Sequence, residues 1–98
     1  MPAYLHADIE VIDPALYDEY RRQVRPLVDK HQGRFLARGG AVELLEGERT
    51  LRRQVLIEFP SLEAVRGFYN DPEYAPLISL RKRASRGSLV AIDGVPPN

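Results

Sequence analysis

Apolar and polar residues alternate from the start of the chain: Ala3, Leu5, Ala7, Ile9 and Val11 are interleaved with Tyr4, His6, Asp8 and Glu10. That period of two predicts a strand with one apolar face. Asp13-Pro14 then supplies an N-cap acceptor and a proline suited to a first helical turn. The stripe Leu16, Tyr20, Val24, Leu27 and Val28 continues at helical spacing, with Gly33 as the expected stop. Pro26 falls inside this helix and deletes one of its hydrogen bonds, so a kink or early break is expected. Two strands should follow, Arg34 to about Leu45 with a bulge or bend at Gly39-Gly40, and Arg52 to Phe59 with Val55, Ile57 and Phe59 on one face. Glu46-Gly47-Glu48-Arg49 is the expected reversal between them. Ser61 caps a short helix carrying Ala64, Val65 and Phe68. Asn70-Asp71-Pro72 closes that helix through a left-handed asparagine and opens another, whose first turn Pro76 should tighten into a 3₁₀ start. Leu77, Leu80, Arg81 and Ala84 follow at helical spacing, and Gly87 leads into a last strand, Ser88 to Asp93.

The order β-α-β-β-α-β predicts a ferredoxin-like α+β fold: a four-stranded antiparallel sheet with its helices on one face. One domain over residues 1–94 is expected, and Val95-Pro96-Pro97-Asn98 reads as an unstructured tail over 95–98. With the helices on one side, the other sheet face must meet solvent, a ligand or a second chain. The alternation puts Tyr4, His6, Asp8, Leu36, Arg38, Gln54, Leu56, Glu58, Val90 and Ile92 there. Leu36, Leu56, Val90 and Ile92 make this face too apolar for free solvent, so two copies are expected to pack sheet to sheet as a homodimer. A monomer with a scattered apolar patch is the competing reading.

Composition narrows the chemistry. The 98 residues carry 14 basic and 14 acidic side chains, so no net field recruits nucleic acid or an anionic membrane. The run Arg81, Lys82, Arg83 and Arg86 reads as a solvated helix end rather than a nucleic-acid footprint. There is no cysteine, which excludes disulfides, thiolate nucleophiles and cysteine-held metals, and suits a cytoplasmic setting. Neither a membrane-spanning run nor a signal pattern is evident. Two histidines far apart do not make a metal site, and Gly39-Gly40 lacks the context of a phosphate loop.

The candidates for chemistry are few. His6, Asp8, Arg38 and Glu58 converge if they share the open face, either as a satisfied polar network or as the wall of a cavity with His6 as general acid or base. His31 suits a helix C-terminus, where it completes a cap. Tyr17, Tyr20, Tyr69 and Tyr74 fall on helices, where a tyrosine packs its ring and leaves its hydroxyl near the surface. Tyr20, Tyr69 and Tyr74 with Arg81 would alternatively line a pocket between helices and sheet, the arginine gripping a carboxylate or enolate. Tyr4, Arg38, Glu58, Tyr20, Tyr69, Tyr74 and Arg81 are therefore the candidate ligand-binding residues.

Several linked motifs resemble one family. They are Asp13-Pro14, the run Gly33-Arg34-Phe35-Leu36-Ala37-Arg38-Gly39-Gly40, Leu45-Glu46-Gly47, Glu58-Phe59-Pro60-Ser61, Phe68-Tyr69, Asp71-Pro72-Glu73-Tyr74 and Leu80-Arg81. Together they resemble, over nearly the whole chain, the family known as domain of unknown function 1330. The resemblance implies membership of the dimeric α+β barrel (ferredoxin-like) superfamily. Its wider relatives include cofactor-free monooxygenases, small isomerases, haem-degrading enzymes and ligand-binding regulators. The chain has no tryptophan and no histidine placed as a haem ligand on its first helix, so no cofactor is implied. Three readings stand: a binder of a small aromatic or anionic metabolite, a cofactor-independent monooxygenase or isomerase, and an interaction module without a ligand.

Overall fold

The structure, a computed structural model, describes residues 1–96; of the expected tail, Pro97 and Asn98 lie outside the described residues. In chain order the elements are β1 (Ala3–Val11), α1 (Pro14–Lys30), β2 (Arg34–Arg38), β3 (Arg53–Phe59), α2 (Leu62–Tyr69), α3 (Ala75–Ala84) and β4 (Ser85–Asp93). The strands form one antiparallel sheet in the order β2-β3-β1-β4. The helices cover one face, giving the ferredoxin-like arrangement, a slab only 16 Å thick and 38 Å across.

The core sits between these layers. Ala3, Leu5, Ala7 and Ile9 of β1 and Val55, Ile57 and Phe59 of β3 point inward against Tyr17, Tyr20, Val24, Leu27 and Val28 of α1. Val65 and Phe68 of α2, Leu77 and Ala84 of α3, and Tyr74 complete it. The two central strands, β1 and β3, therefore bury every second residue, as the alternation predicts, while the edge strands β2 and β4 are largely exposed. The caps follow the sequence signals: Asp13 accepts from the Leu16 N–H at 3.1 Å and Ser61 from the Ala64 N–H at 3.1 Å.

Several local expectations are corrected. The helix α1 runs unbroken through Pro26, whose ring lies on the exposed side while Val24, Leu27 and Val28 are held in the core. The left-handed residue that ends α1 is Gln32 (φ 62°), not Gly33. Gly33 N–H reaches the Val28 carbonyl and Gln32 N–H the Asp29 carbonyl, the paired bonds of a Schellman cap. Gly33 is needed for space instead: a Cβ there would meet Val28 and Phe59 at 2.8 Å. Asn70 ends α2 without turning left-handed (φ −95°), and α3 starts only at Ala75 after a turn over 72–74. Arg34 to Leu45 is not one strand. β2 stops at Arg38 because Gly39 (φ 76°) turns the chain out, and residues 39–52 are irregular.

The join between α1 and the α2–α3 connection is electrostatic. The Asp71 carboxylate accepts from Lys30 Nζ at 2.9 Å, His31 Nε2 at 2.8 Å and the Glu73 N–H at 2.9 Å. The His31 bond, then the Glu73 N–H and Lys30, hold its carboxyl far below the usual carboxylate range. A carboxyl more acidic in the folded chain than in the unfolded one adds stability above its unfolded pKa, near about pH 4, and loses it as pH falls. Urea midpoints measured from pH 6 downward are therefore expected to drop below about pH 4, and Asp71→Asn is expected to flatten that acid limb. An unchanged slope in the variant would assign the acid sensitivity elsewhere.

Candidate functional site

The bulge in β2 decides what the site contains. Phe35 pairs with Ile57, Ala37 with Leu56 and Arg38 with Val55, so Leu36 is an extra residue. A one-residue insertion reverses the side on which later side chains emerge. Arg38 therefore lies on the helix-covered face with Val55, and the expectation that it shares the open face with His6 is corrected.

On the open face the polar groups pair off locally instead of converging. His6 Nε2 donates to Gln54 Oε1 at 2.7 Å, Arg34 pairs with Glu58 at 3.2 Å, and Arg49, from the irregular segment, pairs with Asp8 at 3.1 Å. Tyr4 sits between Glu58 and Ile92 in register. Leu36, Val90 and Ile92 are 45%, 46% and 49% exposed, so the face is an apolar surface on which the charges nearest its centre, Asp8, Arg34, Arg49 and Glu58, are paired. That is the condition under which charges can be buried at modest cost.

The helix side holds the other candidates. Tyr20 and Tyr74 share a buried hydroxyl–hydroxyl bond of 2.8 Å, and Tyr74 continues into Phe68 (4.5 Å between centroids) and the half-exposed Tyr69 (5.9 Å). Burial, reinforced by Tyr74, drives the Tyr20 hydroxyl far above the ordinary tyrosine range, so it stays protonated. Tyr20, Phe68 and Tyr74 border a narrow interior cavity together with Tyr17, Arg21, Arg38, Arg53 and Arg81. At about 40 Å³ it is well short of the roughly 150 Å³ that holds a benzene, so it takes water but not a ring.

Arg81 connects this cavity to a larger space. An open groove of about 370 Å³ runs along the inner side of β4, lined by Leu89 and Ala91 below and by Val65, Arg66, Tyr69, Asn70, Arg81 and Lys82 of the helices and their connection. Its size is within the roughly 300–1,000 Å³ of small-molecule sites. Arg81 is 8% exposed, forms no salt bridge among the described residues, and its buried Nε has no hydrogen-bond partner. A buried guanidinium without a counter-charge is costly unless something else supplies one. Neither the cavity nor the groove is lined by a histidine or a carboxylate.

The structure thus brings Tyr20, Tyr69, Tyr74 and Arg81 together, adds Arg38 from the far edge, and leaves His6, Tyr4 and Glu58 on the opposite face. Arg21, Arg53, Arg66 and Asn70 were missed by the motif reading. For Arg53 a signal existed: it continues the parity of Val55, Ile57 and Phe59 toward the helices.

A ferredoxin-like sheet with a basic, tyrosine-bordered groove under its helices defines the class. The chain belongs to the family described as Domain of unknown function (DUF1330), whose profile matches residues 2–95. Among solved structures it is similar to RPA0582, a protein of unknown function from Rhodopseudomonas palustris, at 18% identity and a TM-score of 0.77 over 98% of this chain and 84% of that one. It is similar to SnoaB, a cofactor-independent oxygenase from Streptomyces nogalater, at 14% identity and a TM-score of 0.67 over 98% and 95% of the two chains. A dimeric ferredoxin-like protein of unknown function from Bacteroides fragilis NCTC 9343 matches at 13% identity and a TM-score of 0.58 over 95% of each. No curated protein matches the chain. At these identities the likeness establishes the fold.

Proposed function

We propose that this protein binds a small organic anion, with the anionic group on Arg81 and an apolar or aromatic body along Val65, Tyr69, Leu89 and Ala91. The observation that carries the reading is the buried, unpaired Arg81 guanidinium at the floor of a groove of ligand size. Arg66 and Lys82 at the rim add attraction without competing for the same oxygens. With no histidine or carboxylate lining either space and Tyr20 held protonated, the groove favours binding over proton-transfer chemistry by His6. Among the described residues no helix is long and apolar enough to cross a membrane, and the absence of cysteine suits the cytoplasm.

The working unit we propose is a homodimer joined through the open sheet face. Its half-exposed Leu36, Val90 and Ile92 and its locally paired charges support this reading, as does the dimeric state of the similar Bacteroides fragilis protein.

Arg81 offers a two-sided test. Arg81→Met is expected to abolish saturable binding of aromatic carboxylates, screened by ligand-observed NMR. It is also expected to raise the stability of the ligand-free protein by about 1–3 kcal/mol, because it removes a buried group lacking a partner. A variant that binds such carboxylates as the parent does ends the groove reading.

A further inference from the structure

A second basic site lies at the other edge of the sheet. Arg38, turned inward by the bulge, donates from Nη2 to the Arg21 carbonyl oxygen at 3.0 Å and stacks its Cζ 4.0 Å from the Phe35 ring centroid. Arg53 arrives from β3: its Nη2 donates to the Arg38 carbonyl oxygen at 3.4 Å, and its Cζ lies 5.3 Å from the Tyr17 centroid. The Nε atoms of Arg21 and Arg53 are buried with no hydrogen-bond partner. Gly39 keeps this corner open, since any Cβ there would run into the Arg53 guanidinium.

The charges are not balanced from within. Arg21, Arg22, Arg25 and Arg38 line an open groove of about 420 Å³ in which Asp18 is the one acid; Asp18 reaches only Arg21, at 3.5 Å, and Arg22 pairs with Glu19, outside the groove lining. Arg38 and Arg53 form no salt bridge among the described residues. Burial, and after it the charges of Arg21, Arg25 and Arg53, lower the pKa of Arg38. Backbone carbonyls and aromatic faces hold these guanidinium groups in place without neutralising them. Such an arrangement is complementary to a compact, multiply charged anion, because planar guanidinium forks match phosphate oxygens in pairs.

We propose that Arg21, Arg38 and Arg53 form a phosphate-class oxyanion site at the β2 edge, distinct from the Arg81 groove at the β4 edge. The site takes inorganic phosphate or the phosphate group of a monoester. It stands independently of the carboxylate reading above, since it uses none of the groove residues.

The test is a titration of the ¹⁵N-labelled full chain with inorganic phosphate and with phenyl phosphate, against chloride at matched ionic strength. The Arg21 and Arg53 Nε–Hε signals are followed. Saturable shifts with phosphate but not with chloride are expected. Arg38→Gln and Arg53→Gln should each weaken binding about tenfold or more, while Arg34→Gln, which removes the same charge from the open face, should change it less than about twofold. Equal affinity for the two probes identifies free phosphate as sufficient, and tighter phenyl phosphate identifies a monoester whose body adds contacts; both support the site. No saturable shift, an equal shift with chloride, or equal weakening by Arg34→Gln overturns it. Should the glutamine variants fail to fold, the wild-type titration decides alone.

Discussion

Replacing Leu56 by aspartate is expected to turn the proposed dimer into monomers. Leu56 stands at the middle of the open face, across from His6 on β1 and Ala37 on β2. In a sheet-to-sheet pair each copy would bury one new carboxylate with no partner reserved for it. The neighbouring cations are already engaged, Arg34 with Glu58 and Arg49 with Asp8. An uncompensated buried charge costs about 3–5 kcal/mol, so even one site would raise the dissociation constant by about a hundredfold or more. The isolated fold should survive, because Leu56 is not part of the core cluster between sheet and helices. Sedimentation velocity at micromolar concentration with a parallel thermal melt separates the two effects. A Leu56→Asp protein that sediments as the parent does would remove the open face as the joining surface.

Gly87→Ala should give the largest loss of stability among the glycines. Gly87 pairs with Ile9 across the β1–β4 ladder. A Cβ at this position would run into the Asp8 carbonyl oxygen and come within 3.1 Å of Ile9 Cα. Both obstacles are main chain, so relief requires the ladder itself to shift, and β4 is an edge strand with one partner. A loss of about 2–4 kcal/mol is expected, or about 10–25 °C in Tm for a domain this size. Gly40→Ala is the matched control: nothing lies within 4 Å of its Cβ position, and its melt should be close to that of the parent. Comparable melts for the two variants would mean that the β1–β4 approach tolerates adjustment. Because β4 floors the Arg81 groove, Gly87→Ala should weaken ligand binding as well.

The groove illustrates which parts of the site could be read in advance. Tyr69 and Arg81 were recognisable because Asp71-Pro72 and the spacing of Leu77, Leu80 and Ala84 bound and phase the helices that carry them. Tyr74, expected on a helix, falls in the turn before α3 and lines the interior cavity. Arg66, Asn70 and Lys82 were not, since each is an ordinary exposed polar residue on its own helix or turn. They gain meaning from facing β4, a strand whose inner side the helices leave partly uncovered. The supposed polar cluster of His6, Asp8, Arg38 and Glu58 failed for a similar reason. Alternation is a local rule, and one bulge residue suffices to send Arg38 to the other side.

Short-range patterning determined the order of the strands and helices, the inward sets of β1 and β3, the two side-chain helix caps and the apolar character of the open face. All of these depend on residues within a turn or two of one another, where backbone geometry and side-chain period act directly. Tertiary structure alone decided where β2 ends, which residue turns left-handed after α1, and which arginines meet. Gly33 is kept close to Phe59 and Val28 by packing from distant parts of the chain, which leaves Gln32 to make the turn. Arg21, Arg38 and Arg53 come from three separate elements, and only the pairing of β2 with β3 beneath α1 brings them to one corner.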